Sequence, residues 1–247
     1  MPGALFNPNP KVQAVPIPGG RSCIVIDDAL AQPEAWVRFA VAERPHFRNA
    51  PANAFPGVER LLPDEFDARL ADVFRQHARS ALGARRIASL YSRMSMVTLP
   101  PRALQPAQWF CHRDDQAAPA GHMIAACVLY LFHDEALGGT SFWVPRQDAG
   151  ATQELVLDTC RLSAGEFLRR RAASLGWPAD RAPGYVLDSN AAFERVLVVP
   201  PRFNRLIFYD GGHYHSGHIA APERLSDDPT TGRLTINGFI TCTRQAA

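Results

Sequence analysis

Ile124-Ala125-Ala126-Cys127-Val128-Leu129-Tyr130-Leu131-Phe132, followed shortly by Gly138-Gly139-Thr140-Ser141-Phe142-Trp143-Val144, reads as two strands joined through a glycine turn. The first is a continuous apolar run of strand length, the pattern of a buried strand. Further strands are expected over Ile87–Leu99, Arg195–Val199, Arg205–Tyr209 and Leu234–Thr241. Upstream, Cys23-Ile24-Val25-Ile26 is a short β-branched strand. Pro33–Glu43 has helical character, with proline suited to a first helical turn. Between Pro63 and Leu82 the apolar residues Phe66, Leu70, Val73, Phe74 and Ala81 recur at helical spacing. Helices first, then many short strands broken by glycine, predict a mainly β chain with flanking helices (α+β) around a double-sheet jelly roll, also called a double-stranded β-helix. Such a fold has a mouth between its sheets where side chains from several strands converge.

The rest of the chain is organised around that block. Residues 1–20 hold five prolines and the pair Gly19-Gly20, and are expected to form an extended arm rather than a packed element. Residues 21–247 are expected to form one domain, with its helices in 21–86. Residues 45–63, rich in proline, asparagine and alanine, look like a long loop. The segment from about 150 to 192 interrupts the β pattern as an insertion, helical over Glu154–Leu175 and loop-like beyond.

Composition sets outer limits. The 247 residues suffice for a substantial core. A net charge of +2 gives no electrostatic case for a nucleic-acid or membrane partner. Lys11 is the only lysine, which reflects codon usage, and Arg169-Arg170-Arg171 reads as a solvated helix face. The five cysteines are scattered without C-x-x-C spacing, so neither a disulfide framework nor a zinc knuckle is expected. With no basic segment leading an apolar core at the start, and no apolar run of spanning length, a cytoplasmic protein is the expectation.

Two short stretches carry chemistry. In Cys111-His112-Arg113-Asp114, an extended backbone places the His112 and Asp114 side chains on one side, about 7 Å apart. Both reach one metal ion from there, while Cys111 and Arg113 point away. About a hundred residues later, after the apolar Leu206-Ile207-Phe208-Tyr209, comes Asp210-Gly211-Gly212-His213-Tyr214-His215-Ser216. Alternation puts His213 and His215 on the same face, so spacing leaves either as a third ligand. Two imidazoles and one carboxylate are the ligand set of a non-haem Fe(II) oxygenase. In Gly232-Arg233-Leu234-Thr235-Ile236-Asn237, a strand arginine is suited to grip a carboxylate bidentately, unless Asp227 or Asp228 claims it.

Four segments occur in a telling order: His112-Arg113-Asp114; Val128-Leu129-Tyr130-Leu131-Phe132 leading to Gly138-Gly139-Thr140-Ser141-Phe142; Phe208 leading to His215; and Gly232-Arg233-Leu234-Thr235 leading to Phe239. Together they resemble the prolyl-hydroxylase-like branch of the 2-oxoglutarate/Fe(II)-dependent dioxygenases, over about half the chain. Val25-Ile26-Asp27-Asp28-Ala29-Leu30 and Phe55-Pro56-Gly57-Val58 further resemble a bacterial subgroup of that superfamily. The resemblance implies Fe(II) on His112, Asp114 and His215, and 2-oxoglutarate anchored by Arg233. It places Tyr130, Thr140 and Asn237 in the co-substrate pocket. The gap from His215 to Arg233 exceeds the usual one, and Arg224 lies nearer the usual distance. The residues after Arg233 match better, and residues 223–229 read as a loop insertion. The implied activity is hydroxylation of a small molecule or of an amino-acid or peptidyl side chain by O2, with release of succinate and CO2; a carboxylate at Asp114 disfavours halogenation.

Two other classes share this donor set: a non-catalytic metal- or ligand-binding jelly roll, and a zinc hydrolase. Arg233 speaks against the hydrolase, which would not need it; intact iron ligands together with Arg233 speak against the binding module, which metal-dependent succinate formation would decide. Arg60, Arg93, Trp109, Trp143 and Trp177, with the 45–62 loop and the 150–192 insertion, are the candidate substrate contacts.

Overall fold

Along Cys23–Asp27 and Arg205–Asp210 successive side chains go to opposite faces, and the two faces feed different cores. Ile24, Ile26, Leu206 and Phe208 join one apolar cluster, while Cys23, Val25, Ile207 and Tyr209 join another. The computed structural model describes residues 6–49, 55–115, 118–178 and 180–244. In chain order its elements are β1 (Lys11–Val15), β2 (Cys23–Asp27), α1 (Pro33–Glu43), β3 (Arg48–Asn49), β4 (Gly57–Leu61), α2 (Asp64–His77), β5 (Ala84–Val97) and a one-turn α3 (Pro106–Trp109). There follow β6 (His122–Tyr130), β7 (Thr140–Pro145), α4 (Ala149–Arg161), α5 (Ala164–Leu175), β8 (Phe193–Val199), β9 (Arg205–Asp210), β10 (Tyr214–Gly217) and β11 (Arg233–Arg244).

The strands form an eight-stranded sheet in the order β1-β2-β9-β6-β11-β5-β4-β3 and a three-stranded sheet in the order β10-β7-β8, antiparallel throughout. Phe142 and Val199 of the small sheet pack against Val25, Tyr130, Ile207 and Tyr209 of the large one. This is the expected jelly-roll core of a mainly β chain with flanking helices. On its outer face, α2 presents Phe66, Leu70 and Phe74 at four-residue spacing. Phe66 meets Trp36 of α1 edge-on at 4.8 Å between ring centres, and Phe74 meets Phe208 at 5.5 Å. A third cluster joins Phe167 of α5 to Trp109 and Phe110, so that α4 and α5 cover the open end between the sheets.

Three sequence expectations need correction. Within the expected arm, Lys11–Val15 is an edge strand paired with β2 from Lys11↔Asp27 to Val15↔Cys23. Pro10 and Pro16 flank this window, which itself keeps every amide donor a ladder needs; residues 1–5 of the arm lie outside the described residues. The expected 45–63 loop contains β3 and β4, and Gly57–Leu61 pairs with Val97–Arg93 of β5; its residues 50–54 also lie outside the described residues. The helical stretch expected over Glu154–Leu175 is two helices. Ser163 ends the first by starting the second, through a capping box with Glu166. Arg170 and Arg171 of the arginine run pair with Asp158 of α4. All five cysteines are unpaired, four of them buried. Among the described residues no helix is long and apolar enough to cross a membrane.

Asp27, at the end of β2, is gripped by Arg205 through Nε–Oδ1 at 2.7 Å and Nη2–Oδ2 at 3.0 Å, with Arg202 at 3.3 Å. The Arg205 hydrogen bonds hold its carboxyl below the usual carboxylate range. A depressed folded-state pKa stabilises above the unfolded value, about 3.9 for aspartate, and that stability is lost as pH falls through the folded value. Asp27→Asn is therefore expected to lower the Tm at pH 7, with the gap to wild type closing below about pH 4. Truncating the fully buried Phe74 to alanine is expected to destabilise by about 3–5 kcal/mol in denaturant titrations.

Candidate metal centre

His112 and His215 are joined by their backbones. The His112 N–H donates to the His215 carbonyl, and the His215 N–H to the His112 carbonyl, each at 2.9 Å. This antiparallel bridge adds the His112 segment to the free side of β10 and brings the two imidazoles together, tilted by 56° with centres 4.5 Å apart. On its other side β10 pairs His215 with Phe142 of β7. Asp114 is set by a second strut: its N–H donates to the Gly211 carbonyl, and the Gly211 N–H to Ile124 of β6, both at 2.8 Å. A Cβ on Gly211 would lie 2.8 Å from the Ile124 carbonyl oxygen and 3.0 Å from the Asp114 Cβ, so this close approach requires glycine.

The three side chains converge. Candidate ligand atoms of His112, Asp114 and His215 all lie within 4.8 Å of one another. Asp114 Oδ1 is 3.6 Å from His112 Nε2, and Asp114 Oδ2 is 3.3 Å from His215 Nε2. His215 Nδ1 donates to the His213 carbonyl at 2.9 Å, which fixes the tautomer and leaves Nε2 facing Asp114. Among the described residues Asp114 Oδ2 is buried with no well-formed hydrogen bond, His215 Nε2 being its near neighbour. A buried carboxylate beside two imidazole nitrogens fits a divalent cation.

The local charge balance agrees. His112 faces the open cavity, so its ring meets water while protein surrounds it; that partial desolvation, with His215 beside it, lowers its pKa to about 4. Burial would raise the Asp114 pKa, but His215 and His112 outweigh it and hold the carboxyl below its usual range. Burial would likewise lower His215, and Asp114 overcomes this. The cluster is thus poised as an ionised carboxylate between two imidazoles. A cation there would take the place of the proton that Asp114 favours on His215.

Arg233, at the start of β11, is 5% exposed. Its Nε donates to the carbonyls of Leu137 and Gly138 at 3.0 and 3.1 Å, and its Nη2 to Gly139 at 2.9 Å. The ring of Phe132 lies 5.7 Å away. Among the described residues no carboxylate pairs with it. Asp227 pairs with Arg44, and Asp228 accepts from Thr230. Burial pushes its pKa down. The Gly138-Gly139 turn supplies those carbonyls. Gly138 has φ +81°, and a Cβ there would fall 1.6 Å from the His218 carbonyl oxygen.

Both features open onto one cavity of about 650 Å³ between the sheets, lined by His112, Asp114, His215 and Arg233 among others. The DUF6445 family, described as a family of unknown function, matches residues 8–240. The chain belongs to this family. No curated protein matches the chain. Among solved structures, the non-haem α-ketoglutarate-dependent epimerase SnoN from nogalamycin biosynthesis is similar with a TM-score of 0.45 and 15% identity, over 90% of this chain and 78% of that one. HygX from Streptomyces hygroscopicus, solved with nickel, 2-oxoglutarate and hygromycin B bound, gives 0.43 and 14%, over 90% and 83%. An N-substituted L-amino acid dioxygenase from Burkholderia ambifaria AMMD gives 0.42 and 13%, over 96% and 100%. At TM-scores below 0.5, none of these structures assigns a ligand or an activity to this DUF6445 chain.

The remaining sequence candidates divide. Tyr130 and Thr140 share a buried hydrogen bond of 2.7 Å between their hydroxyls, with Thr140 and Asn237 on the cavity wall. Burial pushes the Tyr130 phenol up to about 12, so it stays protonated and able to donate. His213 is not in the cluster; it lies in the turn before β10, and its Nε2 accepts from the Arg21 N–H at 3.1 Å. Arg224 is at the surface, 2.6 Å from Asp134. Arg93 and Trp109 line the cavity. Arg60 pairs with Glu43, Trp143 donates to Ser216, and Trp177 stacks on Phe110. Sequence reading missed Gly211 and Tyr209, whose ring backs His215 at 4.7 Å. The Gly211-Gly212 pair between β9 and the histidines was the available signal for the first.

Metal-stripped protein titrated with Co(II) is expected to gain thermal stability, by about 2.7 kcal/mol at a free concentration one hundred times Kd. His215→Ala and Asp114→Ala should abolish the gain and His213→Ala should keep it. A full gain in His215→Ala would rule out this donor set.

Proposed function

We propose that the protein is an Fe(II)- and 2-oxoglutarate-dependent oxygenase, of the prolyl-hydroxylase-like kind, that hydroxylates a small organic substrate. The observation that carries this reading is Arg233: a buried guanidinium, held by carbonyls and without a carboxylate partner among the described residues, in the same cavity as His112, Asp114 and His215. A buried cation without a counter-ion is costly, and an anionic ligand relieves that cost. Carbonyls on Nε and Nη2 fix the plane of the guanidinium and leave Nη1 without a partner among the described residues, available to a carboxylate. A zinc hydrolase has no evident use for this group, and succinate formation separates the oxygenase from a non-catalytic binding module.

Fe(II) with 2-oxoglutarate supplies the O2-dependent oxidation that yields succinate and CO2. The chain's own residues do the rest. His112, Asp114 and His215 present three donors from one side, leaving the cavity side open for ligands. Arg233 receives the far carboxylate of 2-oxoglutarate and so fixes which end meets the metal. Thr140, held by the Tyr130 hydroxyl, and Asn237 supply polar contacts along the cosubstrate's length. The apolar cavity walls, including Phe110, Phe193 and Ile219, limit water at the centre.

Purified protein with Fe(II), ascorbate and 2-oxoglutarate is expected to release succinate under air and none anaerobically. Replacing the charge-assisted contact in Arg233→Gln forfeits about 1.5–3 kcal/mol, or roughly 10- to 150-fold in the KM for 2-oxoglutarate. Arg224→Gln should leave that KM unchanged. Unaltered 2-oxoglutarate binding in Arg233→Gln would overturn the assignment.

A further inference from the structure

The large sheet carries a second cavity arginine. In the register of β5 against β11, Arg233 faces Val97 and Asn237 faces Arg93, so the two arginines sit four residues apart along neighbouring strands, about 13 Å. Arg93 is held from three directions. Glu59 of β4 takes Nη1 at 2.8 Å, and the rings of Phe239 and Phe55 lie 4.9 and 5.8 Å from its Cζ. These contacts leave the Nε–Nη2 edge, and Nε is buried without a hydrogen-bond partner among the described residues. That edge is the one which meets a carboxylate side-on with two parallel hydrogen bonds. Arg93 is also close enough to Asp114 and His112 to bias both electrostatically.

The charge inventory of the cavity points the same way. Among its described lining residues the only carboxylate is Asp114, against Arg93, Arg113 and Arg233. With Asp114 given to the metal and Arg233 to the co-substrate, no wall group remains for an ammonium. Arg113 already lies over Tyr214 at 5.3 Å and beside Asp115 at 3.7 Å. Around Arg93 the surface is aromatic and apolar: Tyr91, half-exposed, stacks on Phe239 at 5.1 Å, while Leu155 and Val156 of α4 line another part of the cavity.

We propose that Arg93 anchors the substrate of this site, and that the substrate is a small carboxylic acid with an apolar or aromatic body. The proposal rests on the oxygenase reading for the word substrate; the anchor itself rests on Arg93. The carboxylate docks on the Nε–Nη2 edge, and the body lies against Tyr91, Phe239 and the α4 wall. The two arginines then sort two acids within one cavity, Arg233 beside the Gly138-Gly139 turn and Arg93 towards β4.

The test uses the full chain loaded with Ni(II), which binds ligands without turnover, and measures probe affinity by calorimetry with and without 2-oxoglutarate. The probes are phenylacetate, 3-phenylpropionate and 4-phenylbutyrate, each beside its neutral amide, and 4-phenylbutylamine. At least one acid is expected to bind ten-fold or more tighter than its amide, with the amine not binding. Arg93→Gln should reduce that preference below two-fold and leave the affinity for 2-oxoglutarate unchanged. Arg93→Lys keeps a charge beside Glu59 but loses the fork, and should weaken the preference several-fold; it carries the test if circular dichroism shows the glutamine variant unfolded. Equal binding of every acid and its amide, a preference that survives in both variants, or one that disappears in Arg233→Gln instead, would overturn the proposal. If 2-oxoglutarate fails to bind while the acid preference tracks Arg93, the oxygenase reading fails and the anchor stands. If 2-oxoglutarate binds and the preference is absent, the anchor alone fails.

Discussion

Two hydrogen bonds of 2.9 Å between the backbones of His112 and His215 hold the site together. They close a loop of about a hundred residues that includes β6, β7, both covering helices, β8 and β9. Because they are main-chain bonds, they place the two imidazoles side by side whatever the side chains are. The side chains then turn that proximity into chemistry. Asp114 enters by its own main-chain bond to Gly211, so all three candidate ligands are positioned by backbone ladders that extend the sheets. A site built this way is rigid before anything binds, and little ordering is left to oppose a ligand.

The rigidity has an electrostatic counterpart. Burial works against charge on Asp114, His215 and Arg233 alike. At Asp114 the imidazoles overcome it. At Arg233 three carbonyls soften it without neutralising it. Asp27, by contrast, is fully answered by Arg205 and Arg202 and serves only to tie β2 to the chain entering β9. Pairing thus distinguishes a structural buried charge from one that awaits a ligand.

Much of this was legible in the sequence, for physical reasons. The apolar run of β6, the strand β9 and the four-residue spacing of Phe66, Leu70 and Phe74 announce themselves because burial dictates residue type. The edge strands β1 and β3, and β4 beside β3, do not. Their exposed faces accept polar residues, prolines flank them, and only the neighbouring strand decides that they pair. Period-two alternation could not separate His213 from His215 because alternation holds within a strand, and β10 begins at Tyr214. The order of the motifs brought Arg233 into view. Its partners stayed hidden, since they are carbonyls, which every residue carries.

The Gly138-Gly139 turn has a consequence beyond holding Arg233. The Gly139 carbonyl accepts from Arg233 Nη2 and also from the His218 N–H at 3.0 Å, three residues beyond His215. Gly138 is pressed against the His218 carbonyl so closely that no side chain fits. One turn is therefore a shared datum for the arginine and for the strand bearing the second imidazole. A shift there would detune both ends of the cavity together, so divergence within the family faces a strong constraint at these two glycines.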